Sequence, residues 1–140
     1  MSEPVSAALA GEYAVIYAYG RAGGRLTSDG DRALAGLAEH RATRDRLRQW
    51  LINDGEQPPP PAPAYAPPGP VNGDRQARDL LATVELRLIP LYAELISDQA
   101  DVPARKVWAI RQIRDCALRA QAWGAAGRAF PWPSGLTPPA

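Results

Sequence analysis

The sequence predicts an all-α fold, a four-helix bundle with one long proline-rich crossover between helices 2 and 3. Three observations lead there. Among 140 residues there are 26 alanines and 15 arginines, both good helix formers, against only 16 Val, Ile and Thr taken together. Apolar residues recur at helical spacing in four segments, each with start and stop signals. The block from Glu56 to Pro70 carries eight prolines in fifteen residues and cannot be a helix interior.

The first helix is expected over about 4–20. Pro4 suits a first turn, Val5, Leu9, Glu12, Ile16 and Tyr19 recur at helical spacing, and Gly20, Gly23 and Gly24 end the pattern. The second is expected over 28–53, with Ser28 as N-cap, Asp29 and Asp31 facing the helix dipole, and Gly55 as the stop. Its inner stripe reads Ala33, Leu37, His40, Arg44, Leu47 and Leu51. The third, over 73–99, follows Asn72 as N-cap and carries Leu81, Val84, Leu88, Leu91 and Leu95, with a kink expected at Pro90. The fourth, over 102–123, is expected to be capped by Asp101 and to face inward through Val107, Ile110, Ile113, Ala117 and Ala120. In the tail, Phe130 and Trp132 are expected to pack across the bundle end, with 134–140 flexible, so that 1–133 form one domain.

Chain length makes the proline block informative. A 25-residue helix is roughly 37 Å long. The crossover, 55–71, reaches roughly 50 Å if extended like polyproline, so it can start the third helix at the opposite end of the bundle. Tyr65 and Val71 offer anchors against the helices. Two helical hairpins joined by one long crossover is the connectivity of ferritin-like bundles.

Composition narrows the function classes. The net charge of +1 gives no one-signed field for a nucleic-acid partner. No apolar run is long enough for a membrane span. A lone cysteine, Cys116, cannot close an internal disulfide and suits a reducing compartment. The stretch Met1-Ser2-Glu3-Pro4 has no secretory character, so a cytoplasmic location is expected.

Several residue groups carry a resemblance. Glu12-Tyr13, Tyr17-Ala18-Tyr19-Gly20, the stretch from Glu39 to Asp45, Pro63-Ala64-Tyr65-Ala66-Pro67, Glu85, Arg114-Asp115-Cys116-Ala117 through Trp123, and Phe130-Pro131 occur in that order. Together they resemble an actinobacterial ferritin-like domain family of unknown function, over about Ala7 to Pro131. The resemblance implies a ferritin-like bundle and supplies no reaction. Ferritin-like bundles often pair side by side, so by analogy it also suggests a homodimer through a helix face; no partner protein is identifiable.

Metal-binding members of that fold place one Glu on each of two helices and a Glu-x-x-His on each of the other two, because an i, i+3 pair shares a helix face. Here His40 is the only histidine, and Ala42, Val15 and Leu88 stand three residues after Glu39, Glu12 and Glu85. A full di-iron site is therefore excluded by inventory. What remains is a polar core cluster of Glu12, His40, Arg44 and Glu85, with Asp115 a weaker member between Arg111 and Arg119. Buried charges are costly unless paired, so these groups are expected to meet, with Arg44 standing in for a cation. The three tyrosines of the first helix read as core filler; Arg119 one turn from Cys116 could favour a thiolate, but a lone buried cysteine is more often inert. The sequence thus reads as a non-catalytic binding or interaction module with a degenerate metal site and no cofactor. The alternative is a divergent enzyme using Glu12, His40 and Glu85 on a small ligand or a single weakly bound divalent metal.

Overall fold

Glycine, proline and one left-handed aspartate set the helix boundaries. The computed structural model describes residues 3–67, 69–99 and 102–125, in which four helices occur: α1 (Glu3–Gly23), α2 (Gly30–Asn53), α3 (Asp74–Asp98) and α4 (Pro103–Ala122). No strand occurs among the described residues. α1 passes the expected stop at Gly20 because Ala22 is fully buried and prolongs the apolar pattern. The N-cap of α2 is Asp29 rather than Ser28. Asp29 takes a left-handed conformation (φ 61°), which aspartate tolerates better than most residues. Ser28 Oγ and Asp29 Oδ2 instead accept hydrogen bonds from Arg78 Nη2, both at 2.9 Å. Gly73, not Asn72, caps α3, and the Asn72 N–H donates to Gln76 Oε1 at 2.7 Å. Val102 is the N-cap of α4, with Pro103 in the first turn; Asp101 lies outside the described residues. α3 continues through Pro90, whose ring deprives the Leu86 carbonyl of its donor on the exposed side of the helix, where water can replace it.

The cross-helix contacts fix the topology. Glu12 meets His40 while Tyr19 lies against Gly36, so α1 and α2 are antiparallel. Glu12 meets Tyr92 and Tyr19 meets Glu85, so α1 and α3 are antiparallel too. α4 runs antiparallel to α3 and α2, through Arg119 to Glu85 and Glu39 at one level, and Trp108 against Tyr92 and Trp50 at another. α2 and α3 are therefore diagonal and parallel, which obliges their connection to travel the length of the bundle. The crossover does so pinned to α1. Tyr13 Oη donates to the Pro59 carbonyl (3.0 Å), the Tyr17 and Tyr65 rings lie 5.6 Å apart, and Val71 is buried.

The core is built from Leu9, Leu47, Leu51, Leu81, Leu88, Tyr92 and Leu95, all essentially inaccessible. α4 departs from expectation in its first half. Val107 and Ile110 are about half exposed, at 49% and 50%, and Ala109 and Cys116 are buried, whereas Ala120 is buried and Ile113 and Ala117 pack against the core as expected. Small residues allow α4 to lie close to α3, and the phase that buries them also turns Arg119 inward. No helix is long and apolar enough to cross a membrane. The residues 126–140, including Phe130, Trp132 and the expected flexible tail, lie outside the described set.

Gly36 of α2 lies directly against the Tyr19 ring of α1. A Cβ there would stand 2.6 Å from Tyr19 Cε1, and the Tyr19 ring is held by hydrogen bonds at its hydroxyl. Gly36→Ala should lower stability, because an overpacking cost of roughly 1–3 kcal/mol exceeds the helix-propensity gain of about 1 kcal/mol. Gly20→Ala, where nothing lies within 4 Å, should raise it. Urea unfolding of both variants checks the contrast; equal stabilisation would contradict the packing described.

Candidate functional site

Three polar residues interrupt apolar stripes at mid-helix: Glu12 on α1, His40 on α2 and Glu85 on α3. The structure brings them together in the centre of the bundle, each at 1% exposure or less. His40 Nδ1 lies 2.7 Å from Glu12 Oε2, and His40 Nε2 lies 2.7 Å from Glu85 Oε1. A neutral imidazole has one N–H and one bare lone pair. With both carboxylates ionised, each ring nitrogen must donate, which makes the ring the doubly protonated imidazolium.

The contacts that the two tyrosines make with these glutamates are reciprocal. α1 carries Glu12 and, seven residues on, Tyr19; α3 carries Glu85 and, seven residues on, Tyr92. Seven residues are two helical turns, so each pair shares a face. Because α1 and α3 are antiparallel, the pairs cross. Tyr92 Oη donates a short bond to Glu12 Oε1, and Tyr19 Oη donates to Glu85 Oε1 at 2.7 Å. Trp123 Nε1 in turn donates to Tyr19 Oη at 3.0 Å. α4 adds a second cation. Arg119 Nε donates to Glu85 Oε1 (2.9 Å), Nη1 to Glu39 Oε2 (2.6 Å), and Nη2 approaches Cys116 Sγ at 3.7 Å. Two buried carboxylates are thus matched by one imidazolium and one guanidinium.

The electrostatics follow from this packing. Burial alone would push the His40 imidazolium toward neutrality, but hydrogen bonds and charge from Glu12 and Glu85 more than offset it and raise its pKa to about 9. Burial would raise the Glu85 carboxyl, yet His40 and Arg119 hold it below the ordinary range. Burial and the Glu12 carboxylate push the Tyr92 phenol well up, and burial and Glu85 do the same to Tyr19. Burial, then the Glu85 charge, also pushes the Cys116 thiol well up. Cys116 is held as a thiol, the inert reading of a lone buried cysteine, and Arg119 spends its charge on Glu85.

Two expected members of the cluster are elsewhere. Arg44 sits at the edge of the buried arc of α2, and its guanidinium turns outward to Asp45 Oδ1 (2.8 Å). Its stem covers the core while its charge reaches water, the usual behaviour of a long cationic side chain. Asp115 pairs with Arg114 at 2.9 Å, not with Arg119. The core guanidinium is Arg119, which sequence reasoning placed on the surface. Tyr19, Tyr92 and Trp123 were likewise missed as polar partners. The repeated Glu-x6-Tyr spacing on α1 and α3 was the available signal for both tyrosines.

The donor set does not fit the metal that the fold implies. Both His40 nitrogens are turned to carboxylates, so neither offers a lone pair. Glu85 Oε2 is buried without a hydrogen-bond partner, but one spare oxygen falls short of the four or more ligands that a resident metal needs. Among the described residues no group of three or more His, Cys, Asp or Glu could hold a metal ion.

A family model described as a domain of unknown function (DUF4439) matches residues 4–135. Among solved structures, the chain is similar to a conserved hypothetical protein, rv2844, from Mycobacterium tuberculosis. That likeness has a TM-score of 0.81 at 25% identity, covering 86% of this chain and 91% of the other. It is also similar to ferritin-like, diiron-carboxylate proteins from Bacillus anthracis str. Ames, with a TM-score of 0.75 at 15% identity, covering 86% and 90%. The second likeness shows the fold, a ferritin-like four-helix bundle. No curated protein matches the sequence.

The charged His40 makes stability depend on pH. Its folded pKa of about 9 lies above the ordinary 6.5, so folding binds a proton between those values. The stabilisation is fully present below pH 6.5 and is lost as pH rises through 9, a total of roughly 3.5 kcal/mol at about 1.4 kcal/mol per pH unit. Urea unfolding at a series of pH values should show this decline. A stability that stays flat or rises from pH 7 to 9 would contradict a charged His40.

Proposed function

The chain belongs to the DUF4439 family, and we propose that it is a non-catalytic ferritin-like binding module whose core carboxylates are held by protons instead of a metal. One observation carries this reading: both nitrogens of His40 stand 2.7 Å from glutamate oxygens. An imidazolium in that position does for Glu12 and Glu85 what a divalent cation does in a metal-holding bundle, neutralising two carboxylates that face each other across the core. Arg119 completes the neutralisation from α4. The site so built is a degenerate metal centre.

The chemistry of the remaining groups fits a scaffold better than a reaction. General catalysis needs a proton donor or acceptor that titrates near the working pH. The Tyr19 and Tyr92 phenols and the Cys116 thiol are all pushed upward by burial, away from that range. Each carboxylate already accepts from a tyrosine and from His40. The lone, buried Cys116 suits a reducing compartment, and we place the protein in the actinobacterial cytoplasm.

Metal content decides between this and a metal-dependent enzyme. Protein produced in medium supplemented with iron, manganese and zinc, and purified without chelator, should hold well under one equivalent of any of them. Adding Fe(II) or Mn(II) should leave the melting temperature unchanged, since a metal that does not bind the folded state cannot stabilise it. A stoichiometric metal that survives desalting and disappears in Glu85→Gln would overturn the proposal.

A further inference from the structure

Away from the polar core, the crossover and two helices enclose a cavity of about 250 Å³. On its α1 side the small residues Ala14 and Ala18 leave room beside Val15 and Tyr17, while Leu88 and Leu91 of α3 pack against Gly11. α3 supplies an apolar wall through Leu80, Val84 and Leu88, one helical turn apart. On the crossover side Tyr65, braced by the Tyr17 ring at 5.6 Å, and Pro67 close it. None of the groups in the buried ion-pair chain lines this space.

The polar component of the cavity is cationic. Arg21 of α1 and Arg87 of α3 both line it and are exposed. Tyr19 and Glu85 are level with each other, and the helices run antiparallel, so the two arginines lie within about one helical turn along the bundle axis. Among the described residues neither guanidinium has a carboxylate or hydrogen-bond partner; Arg25, Arg41, Arg46, Arg75 and Arg111 share that property, but of these arginines Arg21 and Arg87 alone line the cavity. Two unpaired guanidinium groups over an apolar pocket match a ligand with one anionic end and an apolar body. Size sets the length of that body. A cavity of about 150 Å³ takes up benzene, six non-hydrogen atoms, so about ten such atoms match this one.

We propose that this cavity binds a free medium-chain carboxylate, with its alkyl chain of about eight carbons between α1 and α3 and its carboxylate between Arg21 and Arg87. The inference rests on the binding-module reading and names what is bound. Metal content bears on the core alone, and carboxylate binding bears on the cavity alone, so either can fail without the other.

Calorimetric titration of the full chain with octanoate and with 1-octanol tests it. Octanoate should bind one to one. Arg21→Gln with Arg87→Gln should weaken octanoate about tenfold or more and leave octanol unchanged, because only the carboxylate uses the guanidinium groups. Ala14→Leu, which fills the cavity without touching either arginine, should weaken both ligands. Unchanged melting temperatures of the variants in the absence of ligand separate lost binding from lost folding; if Ala14→Leu unfolds, the two surface arginine changes decide alone. The proposal is overturned if octanoate shows no saturable binding, if the double arginine variant binds it as tightly as the parent, or if sedimentation shows a dimer that Ala14→Leu dissociates, which would make the cavity an interface between copies.

Discussion

The polar centre of the bundle depends on one proton bridge, the His40 imidazolium between Glu12 and Glu85. Two carboxylates in an apolar core are each expensive to desolvate. An imidazolium can satisfy both at once because its two N–H bonds point away from each other, toward α1 on one side and α3 on the other. Removing either carboxylate leaves one buried N–H of the ring without its acceptor, so the three helices hold one another in register through this ring. Arg119 balances the remaining negative charge and ties α4 to the same centre, with its outer nitrogen on Glu39 of α2.

The proline-rich crossover is what makes that geometry available. A short α2–α3 turn would make these helices antiparallel neighbours. A connection running the length of the bundle makes them parallel and diagonal, and places α1 antiparallel to α3. Only then do two copies of the same Glu-x6-Tyr spacing face each other in opposite directions, so that each tyrosine reaches the glutamate of the other helix. The crossover is held where it must be by Tyr13, which links the Pro59 carbonyl to Arg48 of α2, and by the Tyr17–Tyr65 contact. The link at the primary level is therefore chain length and proline content; at the tertiary level it is helix direction; at the site it is which acid meets which phenol.

Much of this was legible in the sequence, and the misses share a cause. Glu12, His40 and Glu85 could be read as meeting because each breaks an apolar stripe, and polar residues there must find one another. Arg44 obeyed the same rule and still turned outward, since a long side chain at the edge of the buried arc can carry its charge to water while its stem stays inside. The first half of α4 was misphased because Val107 and Ile110 weigh more on a hydropathy scale than Ala109, whereas close helix packing rewards the small residue. Once that phase is shifted, Arg119 moves from surface partner of Asp115 to core cation. The tyrosines were passed over because Tyr is common filler in small bundles; spacing shared between two helices was the more informative feature.

The protonation state of the His40 ring tests the central claim most directly. Long-range proton–nitrogen correlation spectra of the intact protein at pH 7.5 report each ring nitrogen separately, and His40 is the only histidine in the chain. Both nitrogens should show the shifts of protonated imidazolium at a pH where an ordinary histidine is mostly neutral. One protonated and one bare nitrogen would show a neutral ring, and with it the cation that holds Glu12 and Glu85 together would be gone.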